Sequence, residues 1–290
     1  VRVLITGVSG FIGSAIAHRI LRTSDNEVIG LDISKRFNRN STIELHPRFT
    51  YIHCSINDPF NLDKVFNLYQ IDAVIHLAAL TGVRGSFEAP MDYIQTNILG
   101  FQNVMDSVLR NVSNFTFTSS SSVLGDNGYP ISPYALTKKT NEGQAQIYYE
   151  TYGLKSTGFR PFTVYGPDGR RDMAVMMFAE KIVSGEEIVL FNNGEHSRSF
   201  TYIDDLVDKF IHRIYHKEDY PDCSLIEIAG ANRSLLDLVN ILETELGVKA
   251  DIRFQERQPG DVVHTSGTNP ICQTTLEVGL HKFADWLSSR

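Results

Sequence analysis

Short apolar runs alternate with amphipathic stretches through the first half of the chain. Val3–Thr6, Val28–Asp32 and Thr50–His53 read as strands. Asp72–Leu77 is almost continuously apolar, as a strand covered on both faces requires. Phe115–Thr118 and Ser156–Arg160 continue the series. Between them, helical spacing runs from Phe11 to Arg22, over Asp58–Tyr69, from Pro90 to Leu109 and over Pro133–Tyr152. Strands alternating with helices of this length predict parallel βαβ units, and so an α/β protein with a doubly wound parallel sheet. After Pro161 the alternation becomes irregular. Ser234 to Asp237 has the form of a capping box, followed by Leu235, Leu238, Val239, Leu242 and Leu246 at helical spacing. The expected division is a large domain over 1–165, with a return segment near 196–216, and a smaller C-terminal α/β domain over 166–290. No Pro/Ser-rich linker separates them, so the two are expected to share a cleft.

Composition narrows the classes. With 42% hydrophobic and 21% charged residues the chain is that of a globular protein. No run of eighteen apolar residues predicts a membrane span. The first residues alternate like a strand rather than a signal peptide, so a cytoplasmic setting is expected. A net charge of −7 without a basic stripe argues against nucleic acid as a partner. Cys54, Cys223 and Cys272 are far apart, which fits buried thiols and not a disulfide framework. His212 and His216, four apart on a predicted helix, are the nearest approach to a metal pair. Two histidines on a partly solvated face explain that spacing as well, and no metal is expected.

Candidate chemistry begins at Gly7-Val8-Ser9-Gly10-Phe11-Ile12-Gly13, between the first strand and first helix. Glycines there let the backbone turn tightly and approach a pyrophosphate, which then sits on the helix N-terminus. The spacing is GxxGxxG, weak evidence by itself. Asp32 sharpens it, because it ends the second strand, where a carboxylate can accept from both ribose hydroxyls. A 2′-phosphate would be repelled there, so the expected cofactor is NAD rather than NADP, with Lys35 and Arg36 close by in sequence.

Tyr134 and Lys138 stand four apart, on one helix face. A free tyrosine is a poor base at neutral pH. Lowering its pKa from about 10 to about 7 needs roughly 4 kcal/mol. A unit charge about 4 Å away supplies approximately that at an effective dielectric near 20. Ser119-Ser120-Ser121-Ser122 follows the strand Phe115–Thr118, and strand C-terminal ends are where ligands bind in open α/β sheets.

Together these residues resemble the extended short-chain dehydrogenase/reductase family, with its Rossmann domain, and within it the nucleotide-sugar epimerases. The resemblance also rests on His76-Leu77-Ala78-Ala79, Gly82-Val83-Arg84, Asn97 with Gly100, and Arg160 to Pro167. It continues through Arg198 to Asp205 and Gln258 to Val262, and so spans nearly the whole chain. Thr163 to Ala174 is most similar to the UDP-glucuronate 4-epimerase subgroup. The resemblance implies a catalytic set of Ser120, Tyr134 and Lys138. It implies cofactor contacts at Gly7, Gly10, Phe11, Ile12, Gly13, Asp32, Ile56, Leu77, Ala78 and Ala79, as well as Tyr134 and Lys138. Ser121, Ser122, Thr163 and Arg170 would surround a sugar carboxylate, Arg198 would pair with the diphosphate of a UDP-sugar, and Arg84 and Asp261 would also touch substrate.

Related 4,6-dehydratases carry Asp-Glu where this chain has Ser121-Ser122, and related decarboxylases usually carry Glu at the place of Ser122. Epimerisation is the chemistry that survives this comparison. A reductase, another epimerase or dehydratase, and a non-catalytic nucleotide-sugar binder are the alternatives. Eight residues (126–133) separate Gly125 from Tyr134, a shorter connection than the family normally has. Leu124 and Ser55 stand where it usually has Tyr and Asp. The resemblance further implies a homodimer through helices 90–109 and 133–152.

Overall fold

The computed structural model describes residues 1–35, 42–125, 128–256, 264–268 and 271–290. Two compact units make up the chain: Val1–Arg160 with Val207–Ile226, and Pro161–Leu206 with Glu227–Arg290. The order begins β1 (Arg2–Thr6), α1 (Phe11–Thr23), β2 (Glu27–Asp32), β3 (Phe49–His53), α2 (Pro59–Leu68) and β4 (Ala73–His76). It continues with α3 (Val83–Glu88), α4 (Pro90–Tyr93), α5 (Gly100–Asn111), β5 (Phe115–Thr118), α6 (Pro133–Tyr152) and β6 (Ser156–Pro161). Next come β7 (Thr163–Tyr165), α7 (Ala174–Ser184), β8 (Ile188–Phe191), β9 (Ser197–Tyr202), α8 (Ile203–Tyr215) and β10 (Cys223–Ile228). The chain closes with β11 (Asn232–Ser234), α9 (Leu235–Leu246), β12 (Ile252–Gln255), β13 (His264–Thr265) and α10 (Leu276–Ser288).

In the first unit the described strands form one sheet in the order β10-β6-β5-β4-β1-β2-β3. Each pairing from β3 through β6 is parallel. This is the doubly wound order, in which the direction of winding reverses between β1 and β4. Parallel neighbours bring the C-terminal ends of β1, β4 and β5 to one edge of the sheet. Below that edge lies a dry core. Leu4, Val74, Phe115 and Phe117 from the strands meet Phe101, Val104, Met105 and Val108 of α5. The Phe101 ring meets Phe117 edge-on at 5.2 Å, a favoured arrangement for two quadrupoles.

Local chemistry explains where the helices begin and end. Asp58 caps α2 by accepting from the Asn61 N–H, with Pro59 in the first turn. Ser132 caps α6 in the same way through the Ala135 N–H, and Gly153 at φ 72° ends it. The capping box of Ser234 and Asp237 opens α9.

One expected element differs. The continuous helix from Pro90 to Leu109 is instead α4, a π-helical turn over Ile94–Leu99, and α5. Asn97 sits in that wide turn, and its backbone carbonyl accepts from Asn141 Nδ2 at 2.6 Å. Its side chain is equally committed: Oδ1 accepts from the Leu80 N–H and Nδ2 donates to the Leu80 carbonyl and Thr137 Oγ1. A carbonyl taken by a side chain need not feed the α-ladder, which is how one turn widens.

In the second unit β9 is flanked by β11, antiparallel, and by the parallel strands β7 and β13. β8 and β12 form a separate parallel pair. No helix among the described residues is long and apolar enough to cross a membrane.

Candidate active site

The glycine turn between β1 and α1 is packed backbone to backbone. Gly7 has φ +75°, and a Cβ there would lie 2.7 Å from the Ala78 nitrogen at the end of β4. A Cβ on Gly13 would lie 2.2 Å from the Gly7 carbonyl oxygen. Neither obstacle is a side chain that could swing away, so both places require glycine. Gly10 is the N-cap of α1, no side chain caps that end, and no acidic residue stands in the first turn. The first N–H groups of α1 therefore remain available to a pyrophosphate. Phe11 is buried in the first turn and Ile12 half-buried.

Asp32 completes the cradle at the end of β2. Its Oδ2 accepts from the Ser9 N–H and its Oδ1 from the Ser34 N–H, both at 3.0 Å. Two backbone donors fix the carboxylate and leave lone pairs on each oxygen for diol hydroxyls. Lys35 lies over the Tyr51 ring, 5.7 Å from its centre; Arg36 falls outside the described residues. A glycine turn that closes on any Cβ, an uncapped helix start and an oriented carboxylate together fit NAD. Ile56 is more deeply placed than a ligand contact requires. Its side chain is 4% exposed and lies under Gly100, so contact with an adenine would have to come from its backbone.

At the end of β4, Thr6 holds Leu77, Ala78 and the chain leading to Ala79 in place. Its hydroxyl oxygen accepts from the N–H groups of Leu77 and Ala78 at 3.2 Å. With both lone pairs used, its proton goes to His76 Nδ1 at 2.8 Å. His76 is fully buried, and burial, with the nearby charge of Lys138, pushes its pKa down to about 3. It is thus a neutral imidazole protonated on Nε2. Thr6 is not among the site residues expected from the sequence; its position opposite His76 follows from the β1–β4 register.

Ser120, Tyr134 and Lys138 lie on the segment after β5 and on the first turns of α6. Lys138 is 3% exposed, and its Nζ donates to the Thr118 carbonyl at 2.8 Å. Burial pushes its pKa down to about 8. Tyr134, one turn earlier, has its ring edge-on to Tyr93 at 6.3 Å. Ser120 Oγ caps the short turn over Ser121–Leu124 by accepting from the Ser122 N–H, which leaves its proton to donate. Ser121 and Ser122 are half-buried in that turn.

Holding Lys138 in this place opposes folding. The folded chain binds that proton less tightly than the unfolded chain, so the burden is full below about pH 8 and is relieved as pH rises toward the ordinary lysine range. It amounts to about 3 kcal/mol. Lys138→Met should raise the melting temperature of the cofactor-free protein at pH 7 and remove its rise between about pH 8 and 10. A lower melting temperature would mean that the bond to Thr118 outweighs the burial.

The four consecutive serines divide their work. Ser119 turns inward and donates to Glu142 Oε1 at 2.6 Å. Arg160 grips the same carboxylate with Nε at 2.6 Å and Nη2 at 2.8 Å, and Lys139 adds a bond at 3.2 Å. Burial pulls the Glu142 pKa upward, but the bonds from Arg160 and Ser119 hold it below the usual range. This network ties α6, one turn beyond Lys138, to the ends of β5 and β6. Sequence spacing does not reveal it, since the three residues meet only when the strands pair.

Arg84, on α3, is exposed. The second unit carries three more of the expected residues. Thr163 opens β7 opposite Phe200 of β9, and Arg198 stands two residues earlier on β9. Arg198 Nη1 donates to the Ser197 carbonyl at 2.7 Å. Arg170 is already engaged, its guanidinium forked onto Asp172 at 3.0 and 2.5 Å. Asp261 lies outside the described residues.

Comparison with known proteins gives this arrangement a family. The model of the NAD dependent epimerase/dehydratase family matches residues 3–228. This chain belongs to that family. The epimerase/dehydratase fold extends over its full length. The UDP-glucuronic acid 4-epimerase of Bacillus cereus, solved with UDP-glucuronic acid and NAD, superposes with a TM-score of 0.87 at 28% identity. That match covers 100% of this chain and 99% of the other. Protein CapI of Staphylococcus aureus is 36% identical over 332 residues, with 98% of each chain covered. UDP-glucuronate 4-epimerase 4 of Arabidopsis thaliana is 34% identical, covering 100% of this chain and 76% of the plant protein. The CapI alignment is longer than the 290 residues of this family member, so CapI carries internal residues that this chain lacks.

Proposed function

We propose that the chain is an NAD-dependent nucleotide-sugar 4-epimerase that interconverts UDP-glucuronate and UDP-galacturonate. The observation that carries this reading is the buried Lys138, anchored on the Thr118 carbonyl one turn beyond Tyr134, at the sheet edge that also holds the glycine cradle and Asp32. The choice of sugar is supported by UDP-glucuronate 4-epimerases among the proteins similar over the whole chain.

In this mechanism Tyr134 accepts the proton of the sugar C4 hydroxyl. Lys138 contributes a positive charge that favours the phenolate, and Ser120 donates a hydrogen bond to the same sugar oxygen. Bound NAD supplies the reversible oxidation at C4. Gly7, Gly10 and Gly13 let the backbone approach its pyrophosphate, with Phe11 and Ile12 opening the helix beneath. Asp32 would accept from its ribose, Leu77, Ala78 and Ala79 would lie along it, and Ile56 would reach it only through its backbone. Tyr134 returns the proton after the sugar turns over about its diphosphate, which Arg198 holds through charge-assisted bonds. The family resemblance also gives Arg84 and Asp261 as substrate contacts.

A carboxylate at C5 asks for one thing more. A 4-keto uronic acid is a β-keto acid and loses CO₂ if its carboxylate is badly held. Ser121, Ser122 and Thr163 offer hydroxyls, and Arg170 can exchange its grip on Asp172 for the sugar. Thr163→Val should raise the fraction of turnovers that end in a UDP-pentose, read by chromatography of the products. An unchanged product distribution removes Thr163 from the carboxylate site. On this reading the first unit is the cofactor domain and the second the substrate domain, in a cytoplasmic homodimer. Exposed Met91, Ile94 and Leu99, and Leu136 and Ile147 on α6, supply apolar surface for that pairing.

A further inference from the structure

The end of α8 and the turn that follows it carry chemistry that the epimerase reading does not use. His212 and His216 lie one helical turn apart, with ring centres separated by 4.6 Å. Past the helix the chain folds back through a short turn over Lys217–Asp219, closed by the Asp219 N–H on the His216 carbonyl at 3.1 Å. That return sets an Asp219 carboxylate oxygen 3.6 Å from His212 Nε2. One ligand atom from each of His212, His216 and Asp219 lies within 4.8 Å of the others, and all three residues are exposed.

We propose that these three side chains bind a first-row divalent cation of the zinc class. Two imidazoles and one carboxylate suit such an ion by donor type, and a pair of histidines at i and i+4 presents both rings on one helix face. Tetrahedral zinc needs ligand atoms about 3.4 Å apart. Binding therefore requires the three ligand atoms to draw together, and exposed side chains can rotate to do so.

The surroundings favour this use of His212. Its Nδ1 is paired with the Tyr220 hydroxyl at 3.0 Å, which directs Nε2 toward Asp219 as the ligand atom. Tyr220 is itself held, packed edge-on against Phe159. Arg213 does not compete: it turns inward, donating to Thr157 and Asn114 at 2.7 and 2.8 Å, and is 3% exposed. Glu218, 3.8 Å from His216 Nδ1, adds negative charge beside the site. A bound ion would tie the last turn of α8 to the segment leading into β10. One coordination position would remain for water, because the protein supplies three ligands.

The test is calorimetric titration of zinc chloride into the tag-free, chelator-treated full chain. The site predicts one zinc per chain, with affinity weakened about tenfold or more by His216→Ala and by Asp219→Asn. Melting curves in chelator should be the same for both variants and the parent, since the three side chains are exposed. Zinc binding that survives His216→Ala places the ion elsewhere and overturns the proposal, as does an absence of binding by the parent. Weakening by His216→Ala but not by Asp219→Asn overturns the three-ligand site and leaves only a histidine pair on a helix.

Discussion

Tyr134→Phe should lower the turnover of UDP-glucuronate by about a thousandfold or more while leaving NAD bound. The substitution removes one oxygen and nothing else, so the Tyr93 contact and the start of α6 persist. In the proposed mechanism what is lost is the group that takes and returns the C4 proton, and positioned acid–base catalysis of this kind contributes about 10²–10⁴-fold. Lys138 remains buried on Thr118 with no phenolate to favour, so it cannot rescue the reaction. Turnover and the dinucleotide retained after gel filtration should be measured on one preparation. Residual activity within tenfold of the parent would remove Tyr134 from the proton path.

The second large effect is on stability. Arg160→Leu strips the forked partner from Glu142, whose side chain is 3% exposed. A buried charge wholly without a partner costs about 3–5 kcal/mol; with Ser119 and Lys139 still reaching Glu142 the loss should be smaller, about 2–3 kcal/mol, or several degrees in melting temperature for a domain of this size. The pH dependence has a definite sign. A carboxyl held below its ordinary range stabilises the fold above the ordinary glutamate pKa, and that contribution is lost as pH falls through the folded value. The gap between parent and Arg160→Leu should therefore narrow in acid. The double variant Arg160→Leu/Glu142→Leu should regain most of the loss, since neither charge is then buried. A double variant as unstable as the single one would show that packing, and not the weakened pairing of the carboxylate, accounts for the effect.

Much of the first unit is legible in the sequence, because its signals are local. Ser132, Pro133 and Gly153 mark both ends of α6 through their own backbone and capping chemistry. The glycines and Asp32 are legible for a related reason: a tight βα turn and the end of the next strand stand at a characteristic separation. What stays hidden depends on pairing. Thr6 meets His76 across 70 residues, and Ser119, Glu142 and Arg160 converge only once β5 and β6 are adjacent. The π-helical turn is invisible in the pattern from Pro90 onward, which is helical throughout; the widening comes from Asn97, whose partners lie on other elements. The short strands of the second unit give weak alternation, since β9 draws its neighbours from β7, β11 and β13. Spacing does not join Asp219 to the histidine pair, because it lies beyond the helix end, where periodicity says nothing.

The proposed reaction is reversible epimerisation at C4 of a carboxylated nucleotide sugar. It is tested most directly by following purified protein and UDP-glucuronate, with catalytic NAD, by proton NMR over time. UDP-galacturonate should grow to a fixed ratio with its epimer, without accumulation of NADH. UDP-glucuronate unchanged after prolonged incubation, or consumed with stoichiometric formation of NADH, would contradict it.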